Sequence, residues 1–376
     1  MTKGIARNDV PLLAAYVAVN LLFVFKYGLR LMSFWQVSLA AVCYTALVVA
    51  VWRWGCSIIL RANRAMTAII VFAAVAAMLV LQYALDPMAI RVDRWSAIHN
   101  FLGRLMQGEY PYAAQTHLGG YGSPFPVWQI LHLPFYLLGN VGFSIFAGGA
   151  YFLYAVHRSG GRASCLQAFI LLLLSPAFIY EVAVRSDLVT LFLVCCGLMF
   201  GLHRRGVRYT EHPVLVGIVA GLLLSTRVTA IIPLVVFYLE DAMRSGLRRQ
   251  AVGIIVALTT FVLTFLPFLL WNGEMLLFFE HNPFALQSRQ GSVWDVAVVT
   301  PIVVAAAWWW RGSLRRYSAS CAACLILLVA VAFAHRMWYD SSWLRLFDSP
   351  YDITYFNMSL PFLIAALSTQ KRRSVR

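Results

Sequence analysis

Two aspartates seven residues apart, Asp86 and Asp93, open the longest polar interval of the chain, and Arg91 and Arg94 stand around the second. A carboxylate of this kind is ionised at neutral pH and can accept a proton from an attacking hydroxyl. The flanking guanidinium groups favour the charged form. Asp93 is therefore the candidate general base. It also stands where a helix would begin, and aspartate is a favoured N-cap, so the two roles can coexist. Asp86 is the rival carboxylate, although before Pro87 it also reads as a plain interfacial aspartate. Arg185, Arg227 and Arg289 lie at or just beyond the ends of apolar runs. Forked planar donors there suit phosphate oxygens. Equally, Arg185 could pair with Asp187 or Glu181, whereas Arg227 has no acid nearby in sequence. His99, Tyr121 and His281, with Asp187, complete the candidate substrate-binding set.

The elements that must hold these residues are apolar helices. The chain has 376 residues, 61% of them hydrophobic and 12% charged. Apolar runs long enough to cross a bilayer recur from end to end, the pattern of an all-α, polytopic membrane protein forming one integral domain over 1–376. The formal charge of +15 comes from short clusters between runs, such as Arg158 with Arg162 and Arg204 with Arg205. Such clusters mark cytoplasmic loops and contact with anionic lipid, not a nucleic-acid partner. If those clusters lie inside, 85–140 lies outside, and parity makes 124–139 an interfacial or re-entrant segment. About twelve spans follow, with both termini cytoplasmic. Acids favour the outer side, including Asp86, Asp93, Glu109, Asp187, Asp340, Asp348 and Asp352.

From Asp93 onward, Trp95, Ile98, Leu102, Leu105 and Met106 share one helical side, while Asp93, Asn100, Arg104 and Gln107 share the other. That is the pattern of an amphipathic helix lying in the membrane interface, within an outer loop that carries the chemistry. Other chemistries lack their residues. The chain has no P-loop, no His-Glu-x-x-His and no Gly-x-Ser-x-Gly. Its seven cysteines fall mostly in apolar runs, and the Cys321/Cys324 spacing has no second pair. That argues against both a disulfide framework and a zinc site.

The loop running from Asp93-Arg94-Trp95 through Gly108-Glu109-Tyr110-Pro111-Tyr112 to Tyr121-Gly122-Ser123-Pro124 resembles the GT-C superfamily of integral-membrane glycosyltransferases. Within it, the bacterial branch using polyprenyl-phosphate mannose is similar in two later places. These are Leu174-Ser175-Pro176 leading to Arg185-Ser186-Asp187, and Gly221 through Arg227 to Pro233. The resemblance implies transfer of a hexose, with inversion, from a lipid phosphate to a glycolipid, glycan or protein acceptor at the outer face of a bacterial plasma membrane. Asp93 would be the base, and arginines would hold the leaving phosphate. Paired acids are common in this loop of the superfamily; here Arg94 follows Asp93 and the other acid is Asp86. The resemblance names no cofactor with certainty and allows a divalent cation. From another class, the alternative is a transporter or flippase of lipid-linked sugar, which would show broken helices or charges at mid-membrane depth.

Overall fold

The computed structural model describes residues 9–55, 64–289, 291–310, 312–339 and 352–369. Asp340 and Asp348, expected on the outer side, lie outside the described residues. The described chain is α-helical, with no strand beyond an isolated bridge between Gln115 and Tyr121. In chain order the helices are α1 (Val10–Gly28), α2 (Phe34–Ala50), α3 (Arg64–Ala84), α4 (Arg94–Met106), α5 (Pro126–Leu131), α6 (Leu133–Leu137), α7 (Ser144–Leu173) and α8 (Pro176–Ala183). They continue as α9 (Leu188–Arg204), α10 (Pro213–Leu224), α11 (Ile231–Met243), α12 (Leu247–Leu277), α13 (Pro283–Ser288), α14 (Val293–Trp309), α15 (Leu314–Tyr339) and α16 (Leu360–Ser368).

Five helices are long and apolar enough to cross a membrane: α1, α2, α3, α12 and α15. Two bent pairs raise that to seven if each is one span. Twelve full-length crossings are therefore not what the helix lengths show. Several expected runs form short helices instead. α10 has 12 residues, about 18 Å at the usual rise, against a hydrocarbon core of about 30 Å. Two apolar elements, α9 and α16, are the most enclosed. Twelve of the 17 residues of α9 are buried, and so is all of α16, while Trp35, Phe72 and Leu270 on the long helices are exposed. The core thus sits around α9 and α16, against α7 and α15, and the long helices turn apolar side chains outward.

Close packing has a sequence cause at α10 and α12. A Cβ added to Gly217 would meet Gly253 O at 2.6 Å, and one on Gly221 would meet Ala257 O at 2.5 Å. Small residues at this spacing let two backbones approach where lipid gives no hydrophobic drive.

The segment 124–139 does not form one helix. Pro126 starts α5, the chain breaks at His132, and α5–α6 meets the next helix at 107°. α7 covers 144–173, leaving the helical region at Gly161 (φ 82°) between Arg158 and Arg162. The amphipathic helix is present as α4. Its apolar side, however, packs on protein. Phe101 lies 4.9 Å from Tyr112 and 6.0 Å from Phe268 between ring centroids, and Leu102 is fully buried. Met106, expected on the apolar side, is exposed.

Candidate functional site

α4 and its neighbours bring Asp93 into a cleft of about 580 Å³. Lys26, Tyr27 and Arg30 come to it from the end of α1, residues 90–94 from the entry to α4, and Tyr180, Val184 and Ser186 from α8 and its exit. Asp352 and Thr354 close it. Four cations thus share the cleft with two carboxylates. Tyr27 stacks on Tyr180 at 4.7 Å, and the Arg30 guanidinium lies 5.1 Å from the Tyr27 ring centre.

Asp93 holds the N-cap position of α4 but makes no side-chain cap bond. Its Oδ2 instead accepts from Thr116 Oγ1 at 3.0 Å. Thr116 is delivered by a turn in which its N–H donates to Gly120 O at 2.7 Å and Gly120 N donates back to Thr116 Oγ1 at 3.1 Å. Gly119 takes φ +78°, which glycine adopts without strain. A Cβ on Gly120 would come within 3.1 Å of Asp93 Oδ2. This turn therefore reaches the carboxylate because it carries two glycines. His117 ties the turn down, with Nδ1 2.7 Å from Ser96 Oγ and Nε2 2.9 Å from Ile90 O.

Arg94 points the other way, into a part-buried network. Its Nη2 donates to Asp352 Oδ2 at 2.8 Å and Thr354 Oγ1 at 2.6 Å, and its Nη1 donates to Ser186 Oγ at 3.2 Å. Nη1 also lies 3.9 Å from Glu181 Oε1, which accepts from Asn357 Nδ2 at 2.9 Å. Burial pushes the Asp352 carboxyl up, but the Arg94 charge and the Thr354 hydrogen bonds outweigh it and hold the group below the usual carboxylate range.

A second buried pair stands behind. Asp187 Oδ2 accepts from Trp128 Nε1 at 2.7 Å and from Arg227 Nη2 at 2.9 Å. Burial would raise this carboxyl, but Arg227 and Arg94 bring it down to about 2. The pair ties α5 to the exit of α10, where Phe125 N and Val127 N donate to Thr226 O and Ser225 O at 3.0 and 3.1 Å. Arg227 is thus already paired, by an acid 40 positions away that no local reading could supply.

The remaining candidates divide. Arg91 lines the cleft with Asp93 and Arg94. Arg185 pairs with neither Asp187 nor Glu181. Its Nη2 donates to Gln82 O and to Leu85 O at 3.0 Å, capping the last carbonyls of α3. Its own backbone (φ 54°) ends α8, with Ser186 N donating to Glu181 O at 2.9 Å, and the chain then bends by 116° into α9. Asp86 is exposed and accepts from Met88 N at 2.9 Å. His99 stacks on Trp95 at 4.4 Å, away from the cleft, and burial lowers its pKa. Tyr121 and His281 form an aromatic cluster with Phe279, and Arg289 is exposed after α13. None of these lines the cleft. Lys26, Arg30, Thr116 and Glu181 went unassigned in the sequence. Lys26 and Arg30 carried a signal, as bases near an apolar run's end on the side where bases are scarce. Among the described residues, no three His, Cys, Asp or Glu side chains gather as a metal site. Compared with known proteins, the chain matches no family model, no curated protein and no solved structure.

Proposed function

We propose that the chain is an integral-membrane glycosyltransferase, of the kind its polar loop resembles, that moves a hexose, mannose in the closest reading, from a polyprenyl phosphate to an acceptor. The observation that carries this is the cleft, where a carboxylate held by a threonine shares one space with Lys26, Arg30 and Arg91. In the reaction, Asp93 takes the proton of the acceptor hydroxyl as its oxygen bonds to the anomeric carbon. The bond from that carbon to the lipid phosphate breaks on the opposite face, with inversion. Charge develops on the departing phosphate, where cationic donors stabilise it most. In this reading Lys26, Arg30 and Arg91 hold that phosphate, and Arg227 supports the site from behind. Arg91→Gln and Arg30→Gln each raise the donor KM about tenfold with little change in melting temperature. Unchanged donor KM in both would remove the phosphate from this cleft.

The wider topology belongs to the same proposal. It has about twelve crossings or part-crossings, both termini cytoplasmic, and the cleft on the outer face of a bacterial plasma membrane. A cysteine at exposed Gln115 then labels from outside intact cells, and one at exposed Arg205 labels only after permeabilisation. Labelling of the Arg205 position from outside would reverse the orientation.

A carrier of lipid-linked sugar is the second reading, and one observation favours it: two broken helices, one with Arg185 and Asp187 at its bend. Broken helices with charges at the break are a common design of transporter sites. The two readings part in one assay. Purified protein is given a synthetic polyprenyl-phosphate hexose and a membrane-extract acceptor, and in parallel is reconstituted in liposomes. Hexose transfer supports the enzyme. Movement of the donor across the liposome membrane without transfer supports the carrier.

A further inference from the structure

Two sets of hydrogen bonds meet at Asp93, one on its backbone and one on its carboxylate. The backbone carbonyl is fixed by α4 itself: Ala97 N donates to it at 2.8 Å and Ser96 Oγ at 3.0 Å. The carboxylate is held from outside the helix by Thr116, a buried residue 23 positions further on. A threonine hydroxyl has one hydrogen and two lone pairs. The Gly120 N–H, 3.1 Å away, can only donate, so the hydroxyl accepts there. Its one hydrogen is left for Asp93 Oδ2 at 3.0 Å, and an ionised carboxylate can only accept.

The turn that carries Thr116 is fastened on several sides. Gln115 bridges to Tyr121, and its Nε2 donates to the Tyr121 hydroxyl at 2.9 Å. Asn100 Nδ2, from α4, donates to Gln115 O at 2.8 Å. Tyr121 packs on Phe279 and His281 with ring centres 5.0 and 5.4 Å away, so the chain just after α12 backs the turn. A Cβ on Gly120 would meet Asp93 Oδ2 at 3.1 Å and Thr116 Oγ1 at 3.4 Å, so glycine there lets the hydroxyl and the carboxylate meet. Oδ2 thus has one fixed place. Oδ1 accepts no hydrogen bond among the described residues.

We propose that Thr116 is a positioning residue for the base: it fixes Oδ2 and so leaves Oδ1 as the oxygen that takes the acceptor's proton. The proposal rests on the glycosyltransferase reading with Asp93 as base. As the acceptor O–H bond breaks, its hydrogen passes to Oδ1 and its electron pair becomes the new bond to the anomeric carbon. The lipid phosphate leaves with the electron pair of the bond that breaks. An untethered carboxylate turns broadly about its last torsion, whereas one tethered oxygen selects a single orientation. A misplacement of about 1 Å can cost about 10²-fold in rate.

The test is transfer from a synthetic polyprenyl-phosphate hexose to a membrane-extract acceptor by the full detergent-solubilised chain. The turnover number kcat and the donor KM are read separately, at matched folded concentration. Thr116→Val keeps the side chain's shape and removes the hydroxyl. It lowers kcat about ten- to a hundredfold and leaves donor KM within about twofold. Thr116→Ser restores the hydroxyl and returns kcat to within about threefold of wild type. Gly120→Ala keeps the hydroxyl but presses on Oδ2, and lowers kcat severalfold with donor KM unmoved. Asn100→Ala is the control. It removes a tie of the same turn, spares the bond to Asp93, and stays within about twofold of wild type. Wild-type kcat in Thr116→Val overturns the proposal and leaves the glycosyltransferase reading standing. So does a loss in Thr116→Ser or Asn100→Ala as large as that in Thr116→Val, which would make the order of the turn, not the hydroxyl, the cause. If Thr116→Val does not fold, Gly120→Ala decides, and an unchanged kcat there overturns the proposal. A wild-type chain that transfers no hexose removes the glycosyltransferase reading itself, and this proposal with it.

Discussion

Asp93→Asn leaves the chain folded and lowers hexose transfer about 10²–10⁴-fold, the usual effect of removing a general base. The fold should tolerate it for a local reason. Asp93 makes no side-chain cap bond, so the exchange loses none, and an amide oxygen can still accept from Thr116 Oγ1. What is lost is the ability to take a proton. Two other carboxylates compete for the role, and geometry separates them. Asp352 shares the cleft, but both its oxygens are occupied. Oδ1 accepts from Thr354 N at 2.9 Å, and Oδ2 accepts from Arg94 and from Thr354 Oγ1 at 2.7 Å. Held below the usual carboxylate range, it is the weaker base. Asp86 is exposed and does not line the cleft. Asp86→Asn keeps the bond from Met88 N and should be silent. The measurement is transfer from a synthetic polyprenyl-phosphate hexose by wild type, Asp93→Asn and Asp86→Asn at matched folded concentration. Full activity in Asp93→Asn would remove it as the base. If Asp86→Asn were then inactive, the role would pass to that residue.

What could be read from the sequence followed range. Features set within a few residues were legible. α1 and α3 follow from apolar composition, and α4 from its periodicity. The break near 124–139 followed from Pro126, His132 and Pro134, which interrupt an apolar run. The gathering of Asp93, Arg91 and Arg94 was also local. Features set by distant partners were not legible. Whether α4 faced lipid or protein depended on Tyr112 and Phe268, and a hydrophobic stripe looks the same in either case. The span count was legible only in its coarse form, several apolar helices long enough to cross, for a related reason. Short apolar runs also read as crossings, but helices such as α10 and α16 are short and packed on other helices, α10 on α12 and α16 on α15. The arginines show it most clearly. Arg185 reads as a phosphate clamp or the partner of Asp187 or Glu181, and Arg227 as a cation with no acid nearby in sequence. One caps α3 through backbone carbonyls, which sequence spacing cannot reveal, and the other pairs with Asp187 across 40 positions. A charge that is costly in a membrane protein must have a partner; only the fold says which one.

That pairing makes a second large effect expected, on stability and not on donor binding. Arg227→Ala should lower unfolding free energy by about 3–5 kcal/mol, because it leaves the Asp187 charge buried with Trp128 Nε1 as its remaining donor. Arg227→Lys keeps the charge but not the planar fork and should recover part of the loss. Asp187→Asn should cost less than Arg227→Ala, since an amide oxygen can still accept from both Trp128 and Arg227. The pH dependence has a definite sign. The folded carboxyl lies at about 2, below the ordinary value near 3.9, so the unfolded chain binds a proton first as pH falls. The pair's contribution is then complete above about pH 4 and drains away as pH falls from there toward 2. Denaturant unfolding in detergent should show a constant gap between wild type and Asp187→Asn from pH 8 to 5, narrowing below 4. Donor KM decides the role. If Arg227 only secures α5 to the exit of α10, Arg227→Lys leaves donor KM within about twofold while lowering stability. If donor KM instead rises about tenfold with stability intact, Arg227 reaches the phosphate, and the assignment of Lys26, Arg30 and Arg91 as the phosphate-holding set fails.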